Sequence, residues 1–392
     1  MTLDHSANLR VIKTFGFLLA ILGSAFSISF CGIGLGVYIG ALALQWVLDK
    51  SHRWQAYPSW RFLIPLLLSL FVSVLISDSL WISAQGFGKY MQGFVLLYAG
   101  IDVLRTENDI KNLVCALVGA WLIALTSGLY QEFLGVDLVY GYKANIYQGD
   151  ITRLTASFKH CNDYGTFLVP GLVFSLAHLL NLLRQKKHAA ASLAFLFMAG
   201  LTYVLLRTLS RGAILSAFAA VFFFCLFFRF RWKALLLITL GLAALWFIPS
   251  PLRERLHELT SLAGGEMSER AMLLRTSLDM IRENPFFGLG LNTYSDHFPK
   301  FKPIDYPALM YAHNTYLQMA TEAGLVGVGL LLAFIAAVMT GNLKNQSLLG
   351  AALLAGVFGM LINGLFDSVL QSTQLRTLFW ALLGAAAALS RR

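Results

Sequence analysis

Residues 311–327 read YAHNTYLQMATEAGLVG. They open an apolar run over residues 313–340, which is long enough to cross a bilayer. On a helical period Asn314, Gln318 and Glu322 fall at i, i+4 and i+8, so they form one polar stripe on a hydrophobic rod. A hydrophobic helix with a polar stripe, and with His313 at its mouth, predicts a membrane bundle that encloses a wet or polar interior.

The composition agrees. The chain is 57% hydrophobic and 13% charged, with a mean hydropathy of +0.67. A soluble domain has about 25% charged residues, so an integral membrane protein is expected. About twelve apolar segments have roughly spanning length. They lie near residues 11–28, 31–48, 60–77, 86–104, 112–131, 162–183, 189–206, 212–229, 232–249, 313–340, 347–365 and 374–390. The expected fold is an all-α polytopic membrane protein, a single membrane domain over residues 1–392. Arg10 and Lys13 precede an uncharged stretch from Thr14 to Leu48, too long for a cleaved signal peptide and better read as two short spans.

Basic residues set the orientation. Arg10 and Lys13, Lys50, Arg53 and Arg61, Arg105 and Lys111, Arg184, Lys186 and Lys187, Arg229, Arg231 and Lys233, Lys344, Arg391 and Arg392 all fall on one side, while loop 78–85 has none. This positive-inside pattern places both termini in the cytoplasm. The net charge of +10 is then largely a topology signal and calls for no nucleic-acid partner. Cys31, Cys115, Cys161 and Cys225 show no metal-like spacing.

The basic residues that break the pattern are the informative ones. Lys89 falls within a span; Lys143, Arg153, Lys159, Arg376 and a set between Arg253 and Lys302 fall on the outer side. Arg207 and Arg211 share a very short outer turn, RTLSRGA, where the rule disfavours them. Snorkelling to lipid headgroups is one explanation; a polyanionic ligand on that face is the sharper one. Two extended outer segments stand out. Residues 132–161 are rich in Tyr and Gly, and residues 250–312 carry a charged helical pattern broken at Gly264–Gly265 and stopped at Asn284–Pro285. FFGLGLNTYSDHF then reads as a Gly-containing turn. Within that pattern Arg275 and Arg282 share a face and Arg270 points elsewhere; such a helix could also lie on the membrane surface.

Other chemistries lack their motifs. No GxxxxGK[ST], no HExxH and no Cys/His ligand spacing occurs. SRG at 210–212 lacks the glycines of a nucleophile elbow. The acidic pairs of a metal-dependent nucleotide-sugar transferase are missing as well. What remains is an outer-face set of Arg and His. Asn314 is a reasonable N-cap, the helix N-terminus favours an anion, and the same field should keep His313 neutral. Arginines that grip phosphate oxygens would suit a diphosphate leaving group, replacing a metal.

SERAMLLRTSLDMIRENPFFGLGLNTY followed by AHNTYLQMATEAGLVG, with RLTASFKHCNDYG and LSRGA upstream, resembles the O-antigen ligase/Wzy-type polymerase superfamily. The resemblance implies a GT-C type membrane glycosyltransferase of the bacterial inner membrane with a long helical periplasmic loop and a periplasmic active site. It implies an undecaprenyl-diphosphate-linked O-antigen donor, a lipid A–core acceptor, contact with membrane lipids, en bloc transfer with inversion, and no cofactor or metal. Carried onto this chain, Arg211 of the SRG motif would bind the diphosphate and Arg270 would stabilise charge. His313 would act as general base or orient a substrate, and Asp367 in NGLFDSVL would orient His313 or contact acceptor sugars. Arg153 is a further diphosphate candidate, and Arg207, Asn314 and Arg275 complete the expected binding set. The family's small residue or proline before Asn162 is here Cys161. Glu322 is expected to bond within the bundle, and Gly324, Gly327 and Gly329 to allow close helix packing. Ligase is the leading reading, polymerase the second; a polysaccharide or lipid transporter is the alternative from another class.

Overall fold

The computed structural model describes residues 5–49, 54, 55, 57, 59–147, 151–227, 265–303, 311–343 and 347–391. Helices dominate it: α1 (His5–Gly23), α2 (Ile28–Leu48), α3 (Trp60–Leu75), α4 (Leu80–Val103), α5 (Glu107–Leu134), α6 (Cys161–Arg184), α7 (His188–Arg207) and α8 (Arg211–Phe227). Then come α9 (Gly265–Glu283), α10 (Tyr294–Phe301), α11 (Thr315–Leu343), α12 (Leu348–Asn363), a 3-10 turn (Val369–Gln371) and α13 (Thr373–Leu389). A two-stranded hairpin, β1 (Asn145–Tyr147) with β2 (Ile151–Arg153), lies between α5 and α6. The expected span at 232–249 lies outside the described residues; the other eleven expected spans coincide with helices.

Burial explains the arrangement. α13 is buried from Gln374 to Leu389, and α6 is almost as enclosed, so these helices are hydrophobic all round and occupy the centre. Where α4 crosses α13, a Cβ on Gly384 would run into the carbonyl of Leu97, so only glycine lets the backbones meet there. Around the rim the apolar side chains point outward instead: Phe15, Ile33, Trp46, Val47, Leu68, Leu193 and Leu196 are all exposed. Water would not tolerate so wide an apolar belt, but lipid does. By length and composition, five of the described helices can cross a membrane: Ile28–Leu48, Glu107–Leu134, Cys161–Arg184, His188–Arg207 and Thr315–Gly341. The protein is a polytopic helical membrane protein.

At one end of the bundle, charges lock α1 to α4 and α5. Lys13, only 2% exposed, meets Asp102 at 2.5 Å, Arg105 meets the same carboxylate at 2.7 Å, and Arg10 meets Asp109 at 2.6 Å. Thr106 and Asp109 also form a capping box that starts α5. Part of the basic cluster read as a topology signal is therefore also a structural clamp.

The other end carries the site, roofed by α9 and α10. Leu273, Met280, Leu289, Tyr294, Phe298 and Ala312 make a small core of their own there. α9 therefore packs into the protein, and the turn expected after Pro285 leads into a further helix, α10. Residues 250–264 and 304–310 of the expected outer segment lie outside the described residues.

The roof is fastened where α11 breaks. Gly324 has φ 70° and ψ 177°, a conformation essentially restricted to glycine. The groups released by the break pair with the chain between α9 and α10: Leu289 N donates to Thr321 O (2.9 Å), Gly290 N to Glu322 O (3.1 Å) and Leu325 N to Pro285 O (2.8 Å). Close helix packing is therefore not what Gly324 provides, and Gly329 faces open space. A side chain at 324 would also collide with the Phe286 carbonyl. Gly324→Ala is expected to destabilise the protein by about 2 kcal/mol or more, lowering its melting temperature in detergent, whereas Gly329→Ala should leave it unchanged or raise it. Equal effects at the two positions would contradict this account of the break.

Candidate active site

The site forms where α12 ends and α11 begins. Thr315 N donates to Gly364 O (2.7 Å) and Asp367 O (3.1 Å); its hydroxyl donates to Asp367 O (2.9 Å) and accepts from Val369 N (2.9 Å). Asn314 caps α11, its side-chain oxygen accepting from Tyr316 N (2.9 Å) and Leu317 N (3.0 Å) while its amide donates to Leu365 O (3.0 Å). Further in, Gln318 accepts from Ala312 N (2.7 Å) and donates to Glu322 (2.6 Å). The polar stripe thus holds the mouth of α11 in shape.

This seam sets His313 beside Asp367. His313 takes a left-handed backbone (φ 48°), and its Nδ1 lies 3.1 Å from Asp367 Oδ1. An ionised carboxylate only accepts, so Nδ1 carries the hydrogen and Nε2 is left to a substrate. Among the described residues no protein group bonds Nε2. Asp367 is held in turn by Ser368 N (2.8 Å) and by the Asn162 side chain.

Next to this pair is an open cleft of about 330 Å³, lined by Arg153, Asn162, Ser210, Arg211, Gly212, Arg270, Asn363, Phe366 and Asp367. The three arginines come from three elements: the end of β2, the start of α8 and the first half of α9. Arg153 is fixed by bonds from Nε to Thr208 O (2.9 Å) and from Nη2 to Asn162 (3.0 Å). The N-terminus of α8 opens into the same cleft and adds partial positive charge. Such a cleft suits the oxygens of an anion such as a phosphate.

His313 and Asp367 lie outside the spanning helices, and they shift each other. The hydrogen bond to Asp367 raises the His313 pKa above its ordinary 6.5, against burial and the nearby Arg270 charge. Burial pushes Asp367 upward, but the His313 bond and charge, with Ser368 N–H and Asn162, hold it below the usual carboxylate value. The helix field is expected to lower the His313 pKa; the contact with Asp367 raises it instead. The cap oxygen of Asn314 occupies the first N–H groups, and a carboxylate in contact outweighs what remains.

A sequence model of the family described as O-antigen ligase matches residues 193–332, which include Arg207, Arg211, Arg270 and His313. An O-antigen ligase of Salmonella typhimurium is 27% identical over 290 residues, covering 70% of this chain and 68% of that protein. Over these residues the chain is similar to O-antigen ligases. The cleft gathers Arg153, Arg211, Arg270 and Asp367, with His313 bonded to Asp367.

Two expected binding residues lie elsewhere. Arg207 Nε contacts both oxygens of Glu132 at 2.9 Å, tying α7 to α5, and does not line the cleft. Arg275 is exposed on α9 and does not line it either. Asn314 works as the cap of α11. Conversely, Asn162, Asp163, Ser210 and Asn363 were missed. Asp163 bonds Ser372 and faces Asp367, and Asn363 bonds Thr166 at 2.5 Å. Polar residues opening α6 just after RLTASFKHC were the available signal.

If His313 accepts a proton, it must be neutral in the free enzyme, so kcat/KM should rise with pH through a midpoint above 6.5. Asp367→Asn removes the charge that stabilises the imidazolium, so the midpoint should move to lower pH while the plateau falls. A midpoint unmoved by Asp367→Asn would separate His313 from the proton transfer.

Proposed function

We propose that the protein is an O-antigen ligase that transfers a polysaccharide from undecaprenyl diphosphate to a sugar hydroxyl of lipid A–core. The observation that carries this reading is the His313–Asp367 pair beside a cleft lined by Arg153, Arg211 and Arg270. In this reading the bundle has GT-C architecture and sits in the bacterial inner membrane. The end with the Lys13–Asp102 clamp faces the cytoplasm with both termini, and the cleft faces the periplasm.

The chemistry follows from the parts. The diphosphate of the donor rests in the cleft, bridged by Arg211, Arg270 and Arg153, with the α8 N-terminus behind it. The acceptor hydroxyl approaches the anomeric carbon from the opposite side, near His313 Nε2. As the new C–O bond forms, the bond to the diphosphate breaks and its electron pair leaves on the diphosphate. The hydroxyl proton passes to Nε2, and Asp367 stabilises the resulting imidazolium. Attack opposite the leaving group inverts the anomeric centre. The arginines neutralise the departing charge, so the reaction needs no metal.

The test is transfer by purified protein with undecaprenyl-diphosphate glycan and lipid A–core in EDTA. Wild type should make lipopolysaccharide. His313→Ala and Arg211→Ala, shown to be folded, should each lose about 100-fold or more. Arg207→Gln removes a partly buried pair outside the cleft and should keep about wild-type activity. Lengthening of the carrier-linked glycan with no product on core would make the protein a polymerase. Folded wild type that makes neither product would overturn the enzyme reading.

A further inference from the structure

Asp367 lines the arginine cleft, and Gln371, on the 3-10 turn that follows, lines a second, narrow cavity. Its wall includes Lys89 and Tyr90 of α4, Asn292, Glu322 of α11, and Arg376 of α13. No step proposed above uses it. Its charges do not balance. Arg376 is 5% exposed, yet its hydrogen bonds all go to uncharged oxygens: Nη1 to the carbonyls of Leu370 (3.0 Å) and Gln371 (3.4 Å), Nη2 to Gln92 (3.3 Å) and Thr373 (3.2 Å). Lys89 donates to the side-chain oxygen of Asn292. The lining carboxylate, Glu322, is 2% exposed and already accepts from Gln318 and from the backbone N–H groups of Asn292 and Tyr294. Among the described residues, no carboxylate lies within ion-pair distance of Lys89 or Arg376.

Two cations face one carboxylate in an otherwise apolar bundle. Leaving a positive charge buried and unmatched is costly, so a cavity built this way selects an anionic ligand group. We propose that this cavity is the acceptor subsite and binds a phosphorylated sugar of the acceptor glycolipid. Lys89 and Arg376 hold the phosphate oxygens, while Glu322 and Gln371 take ring hydroxyls. The assignment to the acceptor rests on the ligase reading: the donor diphosphate occupies the other cleft, and the segment bearing Asp367 joins the two cavities. Arg376 also grips the 3-10 turn, so its loss would disturb the seam; Lys89 does not, and is the residue to change.

Protein in nanodiscs is titrated with lipid A–core that retains its core phosphates, and with the same glycolipid stripped of phosphate, no donor being present. Wild type should bind the phosphorylated form about tenfold more tightly. Lys89→Gln, which can still bond Asn292, should bind both forms alike, and Lys89→Arg should restore the preference. In a third arm, undecaprenyl diphosphate should bind wild type and Lys89→Gln equally. Equal wild-type affinity for the two glycolipids would overturn the proposal, and so would a Lys89→Gln defect confined to undecaprenyl diphosphate. Binding is read without turnover, so a wild type that discriminates yet transfers nothing would overturn the ligase reading alone.

Discussion

Everything at the site depends on two helix ends satisfying each other. A helix leaves four N–H groups open at its start and four carbonyls at its end, and each needs a partner. Here the carbonyl of Leu361 in α12 and those of Gly364, Leu365 and Asp367 just after it accept from the Tyr316 hydroxyl, from Thr315 and from the Asn314 side-chain amide at the start of α11. Each such group left unmet would cost roughly 1–3 kcal/mol. The seam therefore admits little variation, and His313 and Asp367 ride on its two sides. The left-handed backbone at His313 is tolerable because its neighbours are fixed this tightly.

The same rule operates a few turns further in. The break at Gly324 would leave open backbone groups, and the chain between α9 and α10 fills them. That pairing ties the roof to the bundle, holds Asn292 beside Lys89 and leads back through α9 to Arg270. Arg153, Arg376 and Lys89 are each fixed by hydrogen bonds to uncharged oxygens.

Much of this was legible in the sequence because hydropathy reports which segments a bilayer can hold. The stripe of Asn314, Gln318 and Glu322 announced a polar mouth on α11, and Arg211 stood out because topology disfavours it. The illegible parts depend on which helices cross. Nothing local says that Arg207 meets Glu132, on a helix far back in the chain, while Arg211 one turn later faces the cleft. The glycines of EAGLVGVG have the look of a packing stripe, yet the first of them breaks the helix because a second segment docks there. The direction of the His313 pKa shift is illegible for a similar reason. A helix field can be inferred from one segment, but the carboxylate that overrides it comes from another. Short elements such as the β1–β2 hairpin and α10 carry too few residues for periodicity to register.

The central claim is that His313 and Asp367 act as one unit in proton transfer. A double-mutant cycle on kcat/KM, using His313→Gln, Asp367→Asn and the double variant, tests it most directly. The account predicts strong non-additivity: the double variant should be about as slow as the slower single variant, a coupling of roughly 1–3 kcal/mol. If the two losses instead multiply, the residues act independently, and the assignment of His313 as a base oriented by Asp367 is wrong.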